Sequence, residues 1–351
     1  MISNDLAQLR SLADAIGQPV RVMEVCGTHT MAIARSGLRG LLPSTLRLVS
    51  GPGCPVCVTE SSYIDRAVFL AGRPDVTVAT FGDMVRVPGR SGSLSRARAG
   101  GADVEVVLSP LQACELAERR PGRQVVFLAI GFETTAPGTA LMLHEARRRG
   151  LRNLSALTSH KRMVPVMRSL LESGDVPVDG FLCPGHVSVI VGWEAFDGLA
   201  REFGRPCVTA GFDARQIVSG LAEILRQWSA GQSRAGNVYA AASANGNAAA
   251  RTLLSEVFEP CDGVWRALGR VPGSGLSLRG EWAHFDAARR FELPEFPDAG
   301  DPPGCRCGDV ITGRCDPRGC PLFGASCTPR DPVGPCMISS EGACAAALLS
   351  L

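Results

Sequence analysis

Seven of the chain's 14 cysteines fall between Cys305 and Cys344, in a stretch broken by glycines and prolines. A segment of that composition buries little core of its own, so something other than apolar packing must hold it together. What that is depends on the compartment. The N-terminus, MISNDLAQLRSLADAIG, lacks the basic start, apolar run and cleavage motif of a signal peptide and reads as an amphipathic helix. No stretch approaches the ~18 apolar residues that span a bilayer. The chain is therefore expected in the cytoplasm, where clustered thiols bind metals or do redox chemistry rather than form structural disulfides. Cys320, Cys327, Cys336 and Cys344, separated by six, eight and seven residues, suit a 4Fe-4S cluster or an all-cysteine zinc site. Cys305, Cys307 and Cys315 exceed one site's needs, and the excess favours redox chemistry over structural zinc.

The rest of the chain reads as α/β. With 351 residues, 45% of them hydrophobic, it is long enough for two or three packed domains. Apolar runs at 20–25, 46–50, 76–81 and 104–108 alternate with helical segments at 60–72 and 110–120, which predicts a small parallel-sheet domain. A second series follows: strands at 124–132, 154–159, 180–185 and 206–210, with helices near 138–149 and 163–173. Two similar halves are expected, 1–120 and 121–245, divided near the turn at 121–123. From 246 the texture changes to one or two helices, then a Pro- and Gly-rich linker at 292–304, then the cysteine-dense tail, giving a third, loop-rich domain over 246–351. The formal charge of +2 is spread along the chain, which argues against nucleic-acid or membrane partners. Lys161 is the single lysine among 36 basic residues, a bias toward arginine that by itself names no ligand.

Five groups of residues stand at predicted strand ends, where ligands gather in open parallel sheets. EVCGTHT (24–30) places Cys26 at the start of a helix, whose dipole and free N–H groups are expected to lower its thiol pKa. His29 could orient or protonate what binds there; the bland alternative is a buried Cys with a capping threonine. GPGCPVCVT (51–59) holds Cys54 and Cys57 at C-x-x-C spacing, a redox pair or half of a zinc site. GDMVRVPG (82–89) adds Asp83 and Arg86. GFETTAPGTA (131–140) and LCPGHVSVI (182–190) add Glu133 and His186, whose alternatives are helix capping and a structural turn.

Together these blocks resemble the HypD family, nearly end to end. EVCGTHT with AIARSGLRGLLP after it, LVSGPGCPVCVT, GDMVRVPG, GFETTAP, GHVSVIVG and FGASCTPRDPVGPCMISSEGAC stand in that family's order across residues 24–344. The resemblance implies two α/β domains of similar fold and a third holding a 4Fe-4S cluster in a setting similar to ferredoxin:thioredoxin reductase. It implies a redox-active scaffold, rather than a conventional turnover enzyme, on which the Fe(CN)2(CO) unit of nickel-iron hydrogenases is assembled. In the family the scaffold pairs with HypC to hold iron, and HypE, charged by HypF, delivers cyanide; the hydrogenase large subunit is reached through HypC. Carried over, Cys26 becomes the ligand of the iron under assembly, Cys54 and Cys57 the redox pair, and Cys320, Cys327, Cys336 and Cys344 the cluster ligands. Asp83, His186 and Glu341 match family positions credited with a role, and His29 and Glu133 complete the candidate set. Cys305 and Cys307 belong to the family pattern too.

Two rival readings stay open at this stage. A cluster-dependent thiol-disulfide reductase would explain the cluster and the C-x-x-C but leaves Cys26, His29 and GFETTAP without work. A zinc-stabilised interaction module would use the tail alone.

Overall fold

The computed structural model describes residues 2–350, so Met1 of the expected N-terminal helix lies outside them. That helix spans Ile2–Ile16. The chain forms two compact units, each assembled from separated stretches of sequence.

The first unit comprises residues 1–57, 164–248 and 304–351. Its sheet holds β1 (Val20–Glu24), β2 (Leu46–Ser50), β7 (Gly180–Pro184), β8 (Cys207–Ala210) and β9 (Ala235–Asn237), in the order β2-β1-β7-β8-β9. Every pairing is parallel. The helix Ala214–Ser229, capped by Asp213 accepting the Gln216 N–H at 2.9 Å, packs Ile217, Leu221 and Ile224 onto this sheet with Leu9 of the N-terminal helix. The second unit comprises residues 58–163 and 249–303. Its sheet, also all parallel, holds β3 (Val76–Thr80), β4 (Val104–Val106), β5 (Gln124–Gly131) and β6 (Leu154–His160), in the order β4-β3-β5-β6. β3 is buried at all its positions and β5 at all but the first, as strands covered on both faces must be.

The parallel α/β architecture matches the expectation, but the division of the chain does not. The turn at 121–123 falls inside the second unit, because β5 lies between β3 and β6. β1 pairs with β2 on one side and, on the other, with β7 from beyond residue 164. A strand apolar on both faces carries no mark of which sheet it will join. The expected third domain, 246–351, is likewise divided: 249–303 belongs to the second unit and 304–351 to the first.

After the helix Ala248–Val257 comes an unanticipated antiparallel hairpin, β10 (Phe258–Trp265) and β11 (Gly269–Leu278). Pro260, Asp262 and Gly263 read as breakers, and the register shifts between Cys261 and Gly263. The linker has neither helix nor strand over 292–304 and is tied down by Asp298, which accepts the Ser61 N–H at 3.0 Å and its hydroxyl. No helix among the described residues is long and apolar enough to cross a membrane.

Candidate functional site

Four neighbouring strands of the first unit end in candidate residues. β2 leads to the C-x-x-C, β1 to Cys26 and His29, β7 to His186, and β8 to Gly211 and Phe212. This is the carboxyl edge at which parallel sheets bind ligands.

Cys26 is the N-cap of the helix Gly27–Arg35. The backbone N–H groups of His29 and Thr28 point at its sulfur, as the sequence suggested, yet the thiol pKa is pushed up to about 11. Burial is the main cause, and the Glu341 carboxylate adds to it. This corrects the expected lowering: two amides cannot replace the water that the thiolate loses. The proton on Cys26 would therefore be displaced by a binding metal rather than shed beforehand.

The C-x-x-C loop is fitted against Cys26 through its backbone. The Gly53 carbonyl accepts the Gly27 N–H at 3.0 Å. A Cβ on Gly53 would collide with the Cys26 N and Cα, so only glycine allows this approach. Cys54 and Cys57 are joined in a disulfide, with Cα atoms 5.2 Å apart and the Cys57 N–H directed at Cys54 Sγ at 3.1 Å. Both sulfurs belong to buried residues.

His29 is fully buried. Its Nε2 lies 2.9 Å from the Gly211 carbonyl and 3.2 Å from that of Ala210, so it carries the proton, while Nδ1 has no hydrogen-bond partner among the described residues. Burial lowers its pKa to about 4, which keeps the ring neutral near pH 7. Phe212 stands between two imidazoles, with ring centroids 4.9 Å from His29 and 4.0 Å from His186. His186 is exposed at the rim; partial burial lowers its pKa and the Glu341 charge opposes this. Glu341 comes from the tail and accepts the Thr28 hydroxyl at 2.6 Å. Thr28, Gly211 and Phe212 were not read as site residues from sequence, although 211–213 directly follows a predicted strand.

Asp83 and Glu133 belong to the second unit, at the ends of the adjacent strands β3 and β5. Asp83 lies in a 3-10 turn with Arg86. Glu133 is buried, with Oε1 accepting the Met163 N–H at 2.9 Å and Oε2 unpartnered among the described residues. Its pKa is pushed up to about 6, mainly by burial. It thus accepts the Met163 N–H rather than capping the Ala136–Arg148 helix beside it in sequence.

In the tail, Cys307, Cys320, Cys327, Cys336 and Cys344 are buried, and Cys305 and Cys315 partly so. Cys336 touches both Cys307, Sγ to Sγ at 2.8 Å, and Cys344, contacts that push its pKa well up. Cys327 Sγ accepts the Val333 N–H at 3.3 Å. Cys315 neighbours Cys320, and Cys305 Sγ abuts Gly334. No group of three or more His, Cys, Asp or Glu among the described residues stands at metal-binding spacing. The donor set nonetheless fits an iron-sulfur cluster: soft thiols, mostly withdrawn from water, on short helical turns joined by loops.

A family model, HypD, described as "Hydrogenase formation hypA family", matches residues 1–349. The chain is 44% identical over 333 residues to "Hydrogenase maturation factor HypD" of Escherichia coli (strain K12), covering 94% of this chain and 88% of that protein. It is 45% identical over 338 residues to "Hydrogenase maturation factor HypD2" of Bradyrhizobium diazoefficiens, covering 94% and 89%. It is 43% identical over 350 residues to the HypD of Rhodobacter capsulatus, covering 97% and 93%.

Proposed function

The chain belongs to the HypD family of hydrogenase maturation factors, and from that premise we propose that its first unit is the scaffold on which Fe(CN)2(CO) is assembled. The observation that carries this reading is the fit of the Gly53 loop to Cys26, which sets a thiol beside a closed C-x-x-C disulfide at one sheet edge.

Iron is the cargo. Cys26 gives up its proton and ligates it, and because one thiolate cannot hold iron alone, HypC completes the coordination. Burial of the site shelters the fragment from water. HypE, loaded by HypF, presents cyanide on a thiocyanate-like sulfur. Releasing it as cyanide takes two electrons and leaves the carrier a thiol. Oxidation of the Cys54–Cys57 dithiol to the disulfide supplies those two electrons with two protons, one for the carrier thiol and one to solvent. The disulfide is thus the spent form. A 4Fe-4S cluster, held by Cys320, Cys327, Cys336 and Cys344, would supply electrons for its re-reduction when bound. Neutral His29, its tautomer fixed by Gly211, offers Nδ1 as a proton acceptor. The Glu341 carboxylate and the His186 imidazole stand at the rim. The hydrogenase large subunit then receives the fragment through HypC.

Burial of both C-x-x-C sulfurs favours this reading over a reductase that must dock a protein disulfide. The test is Cys26→Ala in complex with HypC. The tail cluster should remain, while the infrared bands of iron-bound cyanide and CO disappear; bands at parental intensity would move the anchor elsewhere.

A further inference from the structure

A cavity of about 620 Å³ opens in the first unit where the helix Ala343–Leu348 meets the far end of the Gly27–Arg35 helix. Its lining brings together three arginines, Arg35, Arg39 and Arg318, with Thr30 and Ser50, whose hydroxyls donate to the Cys26 carbonyl and to Glu24. Against them, among the described residues of the lining, stands one carboxylate, Asp316, already engaged in accepting the Arg318 backbone N–H at 3.0 Å. Arg39 is paired with the buried Glu24 at 3.1 Å. Arg35 and Arg318 form no ion pair with any side chain among the described residues, and the Arg318 guanidinium donates only to the Ser350 carbonyl, at 3.4 Å. Ala343, Ala346 and Ala347 of the Ala343–Leu348 helix add small apolar side chains to the wall, beside Pro317 and Leu349.

We propose that this cavity binds a small phosphate monoester. Guanidinium forks match phosphate oxygens two at a time, and two of the three here have no anionic partner among the described residues. A phosphate monoester carries a charge of about −1.5 to −2 at neutral pH, which suits the excess of cations over carboxylates. The volume lies in the range of small-molecule sites, roughly 300–1,000 Å³, and exceeds what a bare phosphate fills, leaving room for an organic group against the alanines. Such a ligand would bridge Arg35, on the helix that Cys26 caps, to Arg318, two residues from Cys320. It would therefore fasten the thiol motif to the cysteine tail, stabilising the arrangement by mass action. Nothing in the assembly reading requires it, and its failure would leave that reading untouched.

Calorimetric titration of the full chain with glycerol 3-phosphate, with inorganic phosphate and malonate in separate arms, tests the proposal. Glycerol 3-phosphate should bind saturably and more tightly than either comparator. Arg35→Gln with Arg318→Gln should weaken it by about tenfold or more. Both arginines are exposed, so this variant should keep the Cys54–Cys57 disulfide and the parental unfolding midpoint. Ala347→Asp, which puts a carboxylate into the cavity without touching either arginine, should weaken binding similarly and covers a folding failure of the first variant. Absence of saturable binding, equal affinity in the arginine variant, or malonate binding as tight as the monoester would overturn it.

Discussion

Thr28 donates its hydroxyl hydrogen to the Glu341 carboxylate at 2.6 Å, across 313 residues of sequence. The contact needs Gly27 as well, since a Cβ there would fall 2.6 Å from the Glu341 Cβ. The two signature blocks that lie farthest apart in the chain thus share one edge, and the charge of one acts on the thiol of the other.

Glu341→Gln removes a negative charge that raises the Cys26 pKa, so the thiol should titrate below its present value of about 11. It should stay above the ordinary thiol value, because burial is the larger cause. The measurement is alkylation of Cys26 by iodoacetamide between about pH 8 and pH 12, followed by peptide mass spectrometry. A midpoint unchanged or moved upward would show that Glu341 does not act on Cys26.

The cysteine motifs and the parallel strands were legible because spacing and local periodicity carry them. Which strand joins which sheet was not, since β1 and β5 are each buried at all positions but one and nothing local separates them. The direction of the helix effect at Cys26 could be read from sequence, but its defeat by burial is a tertiary fact. Phe212 gave no signal as a lone aromatic after a strand; only the closed fold sets it between His29 and His186. Glu133 read as a helix cap, whereas its carboxylate accepts an N–H 30 residues on, at Met163.

Among the tail thiols, iron and acid-labile sulfide should each approach ~4 per chain, and Ala at Cys320, Cys327, Cys336 or Cys344 should abolish the brown colour. The contact of Cys336 with Cys307 makes one substitution decisive. Retention of the cluster in Cys336→Ala, with loss in Cys305→Ala, would move the fourth ligand to Cys305 and leave Cys336 as the partner of Cys307.

Lys161 shows why one lysine persists in a chain otherwise supplied with arginine. Its ammonium is buried in the second unit and donates to Glu60 at 3.0 Å, Ser159 at 2.8 Å and the Val264 carbonyl at 2.6 Å. Three donors meet three acceptors around one point, a geometry that a planar five-donor fork cannot copy. Lys161→Met strands the buried Glu60 carboxylate and should cost about 3–5 kcal/mol in urea unfolding. Lys161→Arg should not restore the midpoint; full recovery would mean that the site reads charge alone.

The close approach of Gly53 to Cys26 predicts what happens when it is denied. In Gly53→Ala the new Cβ would lie 2.5 Å from the Cys26 Cα and the Val25 carbonyl carbon, and closer still to the Cys26 N. These are backbone atoms held by a strand end and a helix start, so the loop carrying Cys54 and Cys57 must move instead. The hydrogen bond from the Gly27 N–H to the Gly53 carbonyl is then lost, at about 0.5–1.5 kcal/mol, and the dithiol is set back from the iron ligand. Gly198→Ala is the control: it lies in the helix Asp197–Phe203, its added Cβ meets nothing within 4 Å, and helix propensity should make it neutral or stabilising. With HypC present, Gly53→Ala should keep the tail cluster and still form the Cys54–Cys57 disulfide under oxidants. It should lose most of the iron-cyanide infrared intensity that Gly198→Ala retains. If both variants show parental bands, the fit of the C-x-x-C loop to Cys26 does not matter for assembly, and the two thiol motifs work apart.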